Sequence, residues 1–191
     1  MTSLLITTER LTLRSATADD ASATWNYRRL PEVGEWITEL ATDEAAYAEK
    51  FTGPERLAST VIIELDGVVI GDFLIKVEDA WAQAEVSEQA KGSQAELGWT
   101  LDPAHMGKGY ATEAANAMLD HCFGTLGLRR VTAICFADNG PSARLIERLG
   151  MRLEQRAVQE SLHRSGRWLD SLGYAMLRDE WAALRSAPTN A

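Results

Sequence analysis

ELGWTLDPAHMGKGYATEAANAMLDHCFGTLGLRRVTAICFADNGPSARLIERLGMRLE, from Glu96 to Glu154, is the stretch whose reading decides the fold. It alternates strand, glycine loop, helix, strand and helix within about 60 residues, the size of a βαβ unit with one further helix. The first strand, Glu96 to Leu101, ends at Asp102-Pro103, because Pro103 cannot donate to a ladder. Gly107-Lys108-Gly109 then opens a helix predicted from Tyr110 to Leu126, with Ala111, Ala115, Met118, Leu119, Cys122 and Leu126 at three- and four-residue steps on one face. The amides at such a helix start have no partners within the helix, and two glycines let an anion approach the backbone without meeting a Cβ. A pyrophosphate suits that place. The next strand, Arg130 to Phe136, runs parallel to the first if the helix is the crossover.

The pattern E-L-G-W-x-L-x-P-x-x-x-G-K-G-Y-A-x-E-A, followed by D-N-x-x-S-x-x-L-x-E-x-L-G-M, closely resembles the acyl-CoA-binding core of the GNAT superfamily of N-acyltransferases. Within it the best match is the ribosomal-protein N-acetyltransferase (RimJ/RimL-like) branch. The resemblance extends to Thr8-Glu9-Arg10-Leu11-x-Leu13-Arg14 near the start and to Gly166-x-Trp168-x-Asp170-x-x-x-Tyr174 with Glu180-Trp181 near the end. It implies an α/β (α+β) single domain, residues 1–184. Its sheet would be mixed and mostly antiparallel, with two splayed central parallel strands and helices on both faces. Residues 185–191 read as a frayed tail.

Composition bounds the partners. The chain has 191 residues and a net charge of −9, from 19 Lys plus Arg against 28 Asp plus Glu. That balance argues against nucleic acid and mildly for a cationic substrate; an ordinary acidic protein is the plainer alternative. Cys122 and Cys135 sit in core patterns, so neither a disulfide framework nor a metal site is expected. No apolar run approaches ~20 residues and no signal-peptide pattern opens the chain, so a cytoplasmic protein without membrane contact is expected.

Along the chain, Leu5 to Arg14 reads as a half-buried first strand and Thr17-x-x-Asp20 as a capping box before a helix from Ala18 to Leu30. A second helix starts at Thr42-Asp43-Glu44 and ends near Gly53-Pro54. The resemblance lays these helices over the acceptor cleft, which makes Trp25, Tyr27, Trp36 and Tyr47 cleft candidates; core packing is the competing reading. Thr60 to Leu65 and Val68 to Val77 flank Asp66-Gly67, a type I′ hairpin signal. The polar segment from Glu78 to Ser93 is longer than a hairpin needs, and reads as an exposed loop, a partly helical lid or a homodimer contact anchored by Trp81. Two last strands, Arg152 to Glu160 and Trp168 to Met176, are joined by His163-Arg164-Ser165-Gly166.

Glu96 is the candidate general base, since a carboxylate inside a parallel strand is costly without a partner or a task, and desolvation improves it as a proton acceptor. A structural carboxylate is the equal alternative. The resemblance implies that the backbone at Trp99, Thr100 and Leu101 pairs with the pantetheine arm, with the Leu101 region polarising the thioester. For the pyrophosphate, the cradle comprises Met106, Gly107, Lys108, Gly109, Tyr110 and Ala111, reaching Thr112. Ala104 stands where the superfamily has Gln or Arg, so one side-chain contact is missing. Asn139 caps the following helix; the resemblance implies that it also reaches the pantetheine arm and that Ser142 hydrogen-bonds the leaving sulfur. Glu160, Asp170 and Tyr174 are weaker candidates for amine recognition. The expected activity is acetyl transfer from acetyl-CoA to a primary amine, a protein N-terminus or a small molecule, by direct attack. A non-catalytic acyl-CoA-binding module is the alternative.

Overall fold

The computed structural model of the protein describes residues 4–186. The chain forms two compact units: one takes the chain up to Ile75 together with Gly98–Ala114, the other takes Lys76–Leu97 together with the chain from Ala115 onward.

In the first unit, strand β1 (Leu5–Thr7) pairs antiparallel with β2 (Leu11–Ser15), Leu5 opposite Arg14. The single strand expected over Leu5–Arg14 is thus a hairpin. Thr8 closes its turn twice, its N–H donating to the Leu11 carbonyl at 2.9 Å and its hydroxyl accepting from the Leu11 N–H at 3.0 Å. Helix α1 (Asp20–Arg28) follows, with Asp20 accepting from the Thr17 N–H at 2.8 Å, one half of the anticipated capping box. Pro31 and Pro54 each restart the chain, giving short helices α2 (Pro31–Gly34) and α4 (Pro54–Ser59) beside α3 (Glu44–Phe51). Asp43 caps α3 by accepting from the Ala46 N–H at 2.9 Å.

Strands β3 (Thr60–Leu65) and β4 (Val68–Glu78) form the predicted hairpin; Asp66 and Gly67 have φ of 51° and 79°, as a type I′ turn requires. Their buried residues Ile62, Ile63, Ile70 and Phe73 join Leu11 and Leu13 in a core. Burying each such side chain contributes about 1.5–3 kcal/mol, against about 0–1 for an exposed ion pair, so apolar burial holds this unit together. Gly71 admits a close approach: a Cβ there would lie 2.6 Å from the Thr100 carbonyl oxygen. The Asp102 N–H also donates to the Ile70 carbonyl at 2.8 Å, which fixes the strand end that precedes the glycine loop.

Strand β5 (Gln94–Leu101) begins in the second unit, two residues before its predicted start, and β6 (Arg130–Phe136) has its predicted bounds. They run parallel over Gln94–Glu96 and Arg130–Thr132. Helix α5 (Tyr110–Asp120) is shorter than expected, because a π-turn over His121–Thr125 follows it. The Leu126 N–H donates to the His121 carbonyl at 2.9 Å, which resets the phase and leaves Leu126 exposed, while Met118, Leu119 and Cys122 stay buried. Burial alone pushes the Cys122 thiol up to about 12.

Helix α6 (Gly140–Arg148) precedes the hairpin of β7 (Arg152–Leu162) and β8 (Trp168–Leu177), and α7 (Arg178–Ser186) closes the described chain. Of the tail expected from residue 185, Arg185 and Ser186 lie in α7, and the Arg185 guanidinium meets Asp120 at 2.7 Å. The remaining residues of that tail lie outside the described residues. In the segment before β5, Ala84–Ala90 forms a 3₁₀ turn, and Trp81 is 91% exposed, so it does not anchor the segment on its own chain.

The eight strands make one mixed sheet in the order β1-β2-β3-β4-β5-β6-β8-β7, with β5 and β6 as the parallel pair among mostly antiparallel neighbours. Among the described residues no helix is long and apolar enough to cross a membrane.

One buried carboxylate makes the fold acid-sensitive. Burial pushes the Asp20 carboxyl up, but the Arg14 guanidinium at 2.7–2.8 Å and the Thr17 N–H outweigh that and hold it below its ordinary 3.8. A depressed folded value means that its stabilisation is complete above 3.8 and is lost as pH falls through the folded value. Urea midpoints should therefore fall as pH drops from about 5 to 3, and Asp20→Asn should be less stable at pH ~7 with a shallower acid limb.

Candidate active site

The glycine loop is built entirely within the first unit. Asp102 accepts from the Ala104 N–H at 2.9 Å and starts a 3₁₀ turn over Pro103–His105. Gly107 and Gly109 then take φ of 75° and 83°, values open to glycine and strained for other residues. As a result the backbone N–H groups of Gly107, Lys108, Gly109, Tyr110 and Ala111 have no acceptor among the described residues. Met106 precedes these residues in the expected cradle. Its N–H donates to the Pro103 carbonyl at 3.2 Å, because the 3₁₀ turn claims it. Lys108 folds back, its ammonium donating to the Ala104 carbonyl at 3.1 Å, so its charge sits over the loop.

A carboxylate braces this loop. Glu113, in the first turn of α5, accepts from the Thr8 hydroxyl at 2.6 Å, the Arg10 N–H at 2.9 Å and the Arg10 guanidinium at 2.6 Å. The same guanidinium donates to the Lys108 carbonyl at 3.0 Å and lies 4.6 Å from the centre of the Tyr110 ring. Burial pushes the Glu113 carboxyl up, and these donors outweigh that and hold it low. Arg10 was not among the predicted site residues. The only sequence signal for it was its place in the Thr8–Arg14 motif, since nothing local ties residue 10 to residue 113.

On β5, Leu97, Thr100 and Leu101 are buried, while Glu96, Gly98 and Trp99 are half-buried. Trp99 packs edge-on against Phe73 at 6.2 Å between ring centres. The parallel register with β6 runs over Gln94–Glu96. The Glu96 carboxylate has no hydrogen-bond partner among the described residues; its charge is felt at Lys76.

In the second unit Asn139 caps α6, its side-chain oxygen accepting from the Ser142 N–H at 3.2 Å. Burial pushes the Cys135 thiol up and outweighs the opposing effect of Ser142, so it is a poor nucleophile. The weaker acceptor candidates are engaged within the chain. Asp170 accepts from Arg156 at 3.0 Å and from the Gln159 N–H at 2.9 Å, and Glu160 accepts from the Ser171 hydroxyl. Tyr174 is buried and donates to Glu147 at 3.2 Å. In the first unit Tyr27 is buried and donates to Asp72 at 2.6 Å, which makes it a core residue, whereas Trp25 and Tyr47 meet as a tilted pair, 5.4 Å between ring centres, and are only half-buried. Trp36 is also half-buried.

Removing the brace should loosen the loop without unfolding the sheet. Glu113→Gln should speed hydrogen exchange at the Arg10 and Glu113 amides, which donate to the Glu113 carboxylate and the Gly109 carbonyl, by about tenfold, the scale of one charge-assisted hydrogen bond, while exchange in β6 and β8 stays unchanged.

Residues 10–152 match the family model described as the acetyltransferase (GNAT) domain. The uncharacterized N-acetyltransferase YnaD of Bacillus subtilis (strain 168) is 31% identical over 179 residues, covering 92% of this chain and 98% of its own. Among solved structures, a GNAT-family acetyltransferase from Bacillus anthracis has a TM-score of 0.78 at 29% identity, over 93% of this chain and 100% of that one. Mycobacterium smegmatis RimJ, solved in complex with CoA-disulfide, shares the fold with a TM-score of 0.71 at 24% identity, over 89% of this chain and 83% of its own. The family match spans the glycine loop, both parallel strands and the Asn139–Ser142 turn, and with the extent of the YnaD likeness it shows that this chain belongs to the GNAT family of acetyltransferases.

Proposed function

We propose that the protein moves the acetyl group of acetyl-CoA to a primary amine by direct attack. The carrying observation is the run of acceptor-free amides from Gly107 to Ala111, held open by two positive-φ glycines at the start of α5. Such a run suits a diphosphate, because the donors and the helix dipole are both positive toward the ligand. RimJ of the same fold, solved with CoA-disulfide, supports the choice of donor.

With the diphosphate on this loop, the amide-bearing pantetheine arm would pair along Gly98–Leu101, the part of β5 that follows its parallel register with β6 over Gln94–Glu96, in the manner of an added strand. Asn139 would meet the arm through its amide nitrogen, since its oxygen is committed to the Ser142 N–H. In the reaction the amine lone pair attacks the thioester carbonyl carbon, the backbone near Leu101 holds the oxyanion, and the C–S bond breaks as the tetrahedral intermediate collapses. Glu96 takes the proton that the nitrogen sheds, directly or through one water; its unpartnered carboxylate leaves it available. Ser142 donates to the leaving thiolate through its hydroxyl. The acceptor classes are a protein N-terminal amine, a polyamine or amino acid, and an amine antibiotic. A cytoplasmic setting belongs to the same proposal.

Two measurements test this. Thiol release from acetyl-CoA over an amine panel should be saturable in both substrates, and Glu96→Gln should lower kcat by about 10²-fold or more with little change in CoA affinity. Saturable CoA binding without turnover on any amine would leave only a binding module. Separately, Gly109→Val should weaken CoA binding by about tenfold or more in calorimetry, because a side chain at φ 83° strains the loop and its Cβ would crowd the Arg10 guanidinium at 3.4 Å.

A further inference from the structure

Three cations meet around one hollow of the first unit. Its volume is about 310 Å³, and its walls come from α1 through Arg28, α3 through Tyr47 and Lys50, α4 through Arg56, and the chain between α2 and α3 through Ile37 and Glu39. In a chain of net charge −9, this grouping runs against the average composition. The three charges are not equally available. Arg28 is committed to Asp72, a fully buried carboxylate that it meets through two nitrogens. Lys50 pairs with Glu39, but both side chains are about 60% exposed, so that pair contributes little and exchanges easily. Arg56 is half-buried and enters no side-chain hydrogen bond or ion pair among the described residues. Its charge and that of Arg28 are both felt at Tyr47, whose hydroxyl donates to Thr24 at 2.9 Å. An unneutralised guanidinium facing a half-enclosed hollow is a place for an oxyanion, which it can grip with two parallel N–H bonds.

The hollow is tied to the end of β5. Arg28 rests on Asp72, Asp72 follows Gly71, and Gly71 lets the Thr100 carbonyl come close, where a Cβ would be 2.6 Å away. That end of β5 is where the proposed reaction places the thioester. We propose that the hollow takes a carboxylate or phosphate group carried by the amine acceptor, with Arg56 as the residue that selects for it. The proposal rests on the acetyl-transfer reading and narrows it: the acceptor is an amine bearing an anion, despite the acidity of the whole chain.

The test combines turnover with binding on the full chain. Matched acceptors are γ-aminobutyrate against γ-aminobutyramide, and phosphoethanolamine against ethanolamine; succinate and inorganic phosphate are titrated by calorimetry. The charged member of a pair should be preferred by about tenfold in kcat/KM, the ratio that one charge-assisted hydrogen bond supplies. The pair that shows the preference tells carboxylate from phosphate. Arg56→Gln should abolish the preference by raising KM for the charged member with kcat and the neutral member unchanged, and Arg56→Lys should restore part of it. Circular dichroism and the melting temperature of both variants should match the parent, because the Arg56 backbone carbonyl keeps its bonds from Ser59 and Thr60. Equal turnover of charged and neutral amines, with no heat from succinate or phosphate, overturns the oxyanion site and leaves acetyl transfer standing. Oxyanion binding that Arg56→Gln removes, without turnover of any amine, supports the site and overturns acetyl transfer.

Discussion

The Glu113 carboxylate is the constraint on which the glycine loop depends. It gathers the Thr8 hydroxyl, the Arg10 amide and the Arg10 guanidinium, and so ties the turn of the first hairpin to the first turn of α5. Without that tie, two successive positive-φ glycines would give the chain more freedom than order there, since glycine loses the most conformational entropy on folding. With it, the amides from Gly107 to Ala111 keep one direction, and a diphosphate would meet donors that need no reorganisation. An acidic residue thereby serves an anion site: its charge is consumed by Arg10, and what faces outward is backbone.

Charge in this protein is organised by depth. Surface pairs such as Lys91 with Glu88 are exposed and contribute little. The pair of Arg28 with Asp72 is of another kind, because Asp72 is fully buried and would be costly without both Arg28 and the Tyr27 hydroxyl. The same pair sets the wall of a hollow where Arg56 remains uncompensated. A net charge of −9 is therefore a poor guide to what the first unit attracts locally.

In the second unit, residues with functional potential also hold structure. Asn139 satisfies the Ser142 amide at the start of α6 while its own nitrogen remains available. Asp170 and Glu160 are occupied by partners from their own hairpin, and burial raises the Tyr174 phenol to about 12, which makes it a poor acid at neutral pH. Of the titratable candidates there, Glu96 keeps a carboxylate without a hydrogen-bond donor among the described residues.

The sequence by itself determined what local chemistry controls. The Asp66-Gly67 turn, the strand from Arg130 to Phe136, the cap at Asn139 and the glycine loop all follow from φ preference, period and hydrogen-bonding capacity within a few residues. Tertiary structure decided whatever depends on partners far along the chain. Arg10 became a loop brace only because residue 113 lies beside it, and the Met106 amide donates to the Pro103 carbonyl of a 3₁₀ turn. The helix expected to reach Leu126 ended early in a π-turn, and the cations of α1, α3 and α4 came to share a hollow only through packing. Periodicity encodes which face of a segment is buried; it carries no information about which distant side chain will neutralise a charge, and that pairing sets the electrostatics of the site.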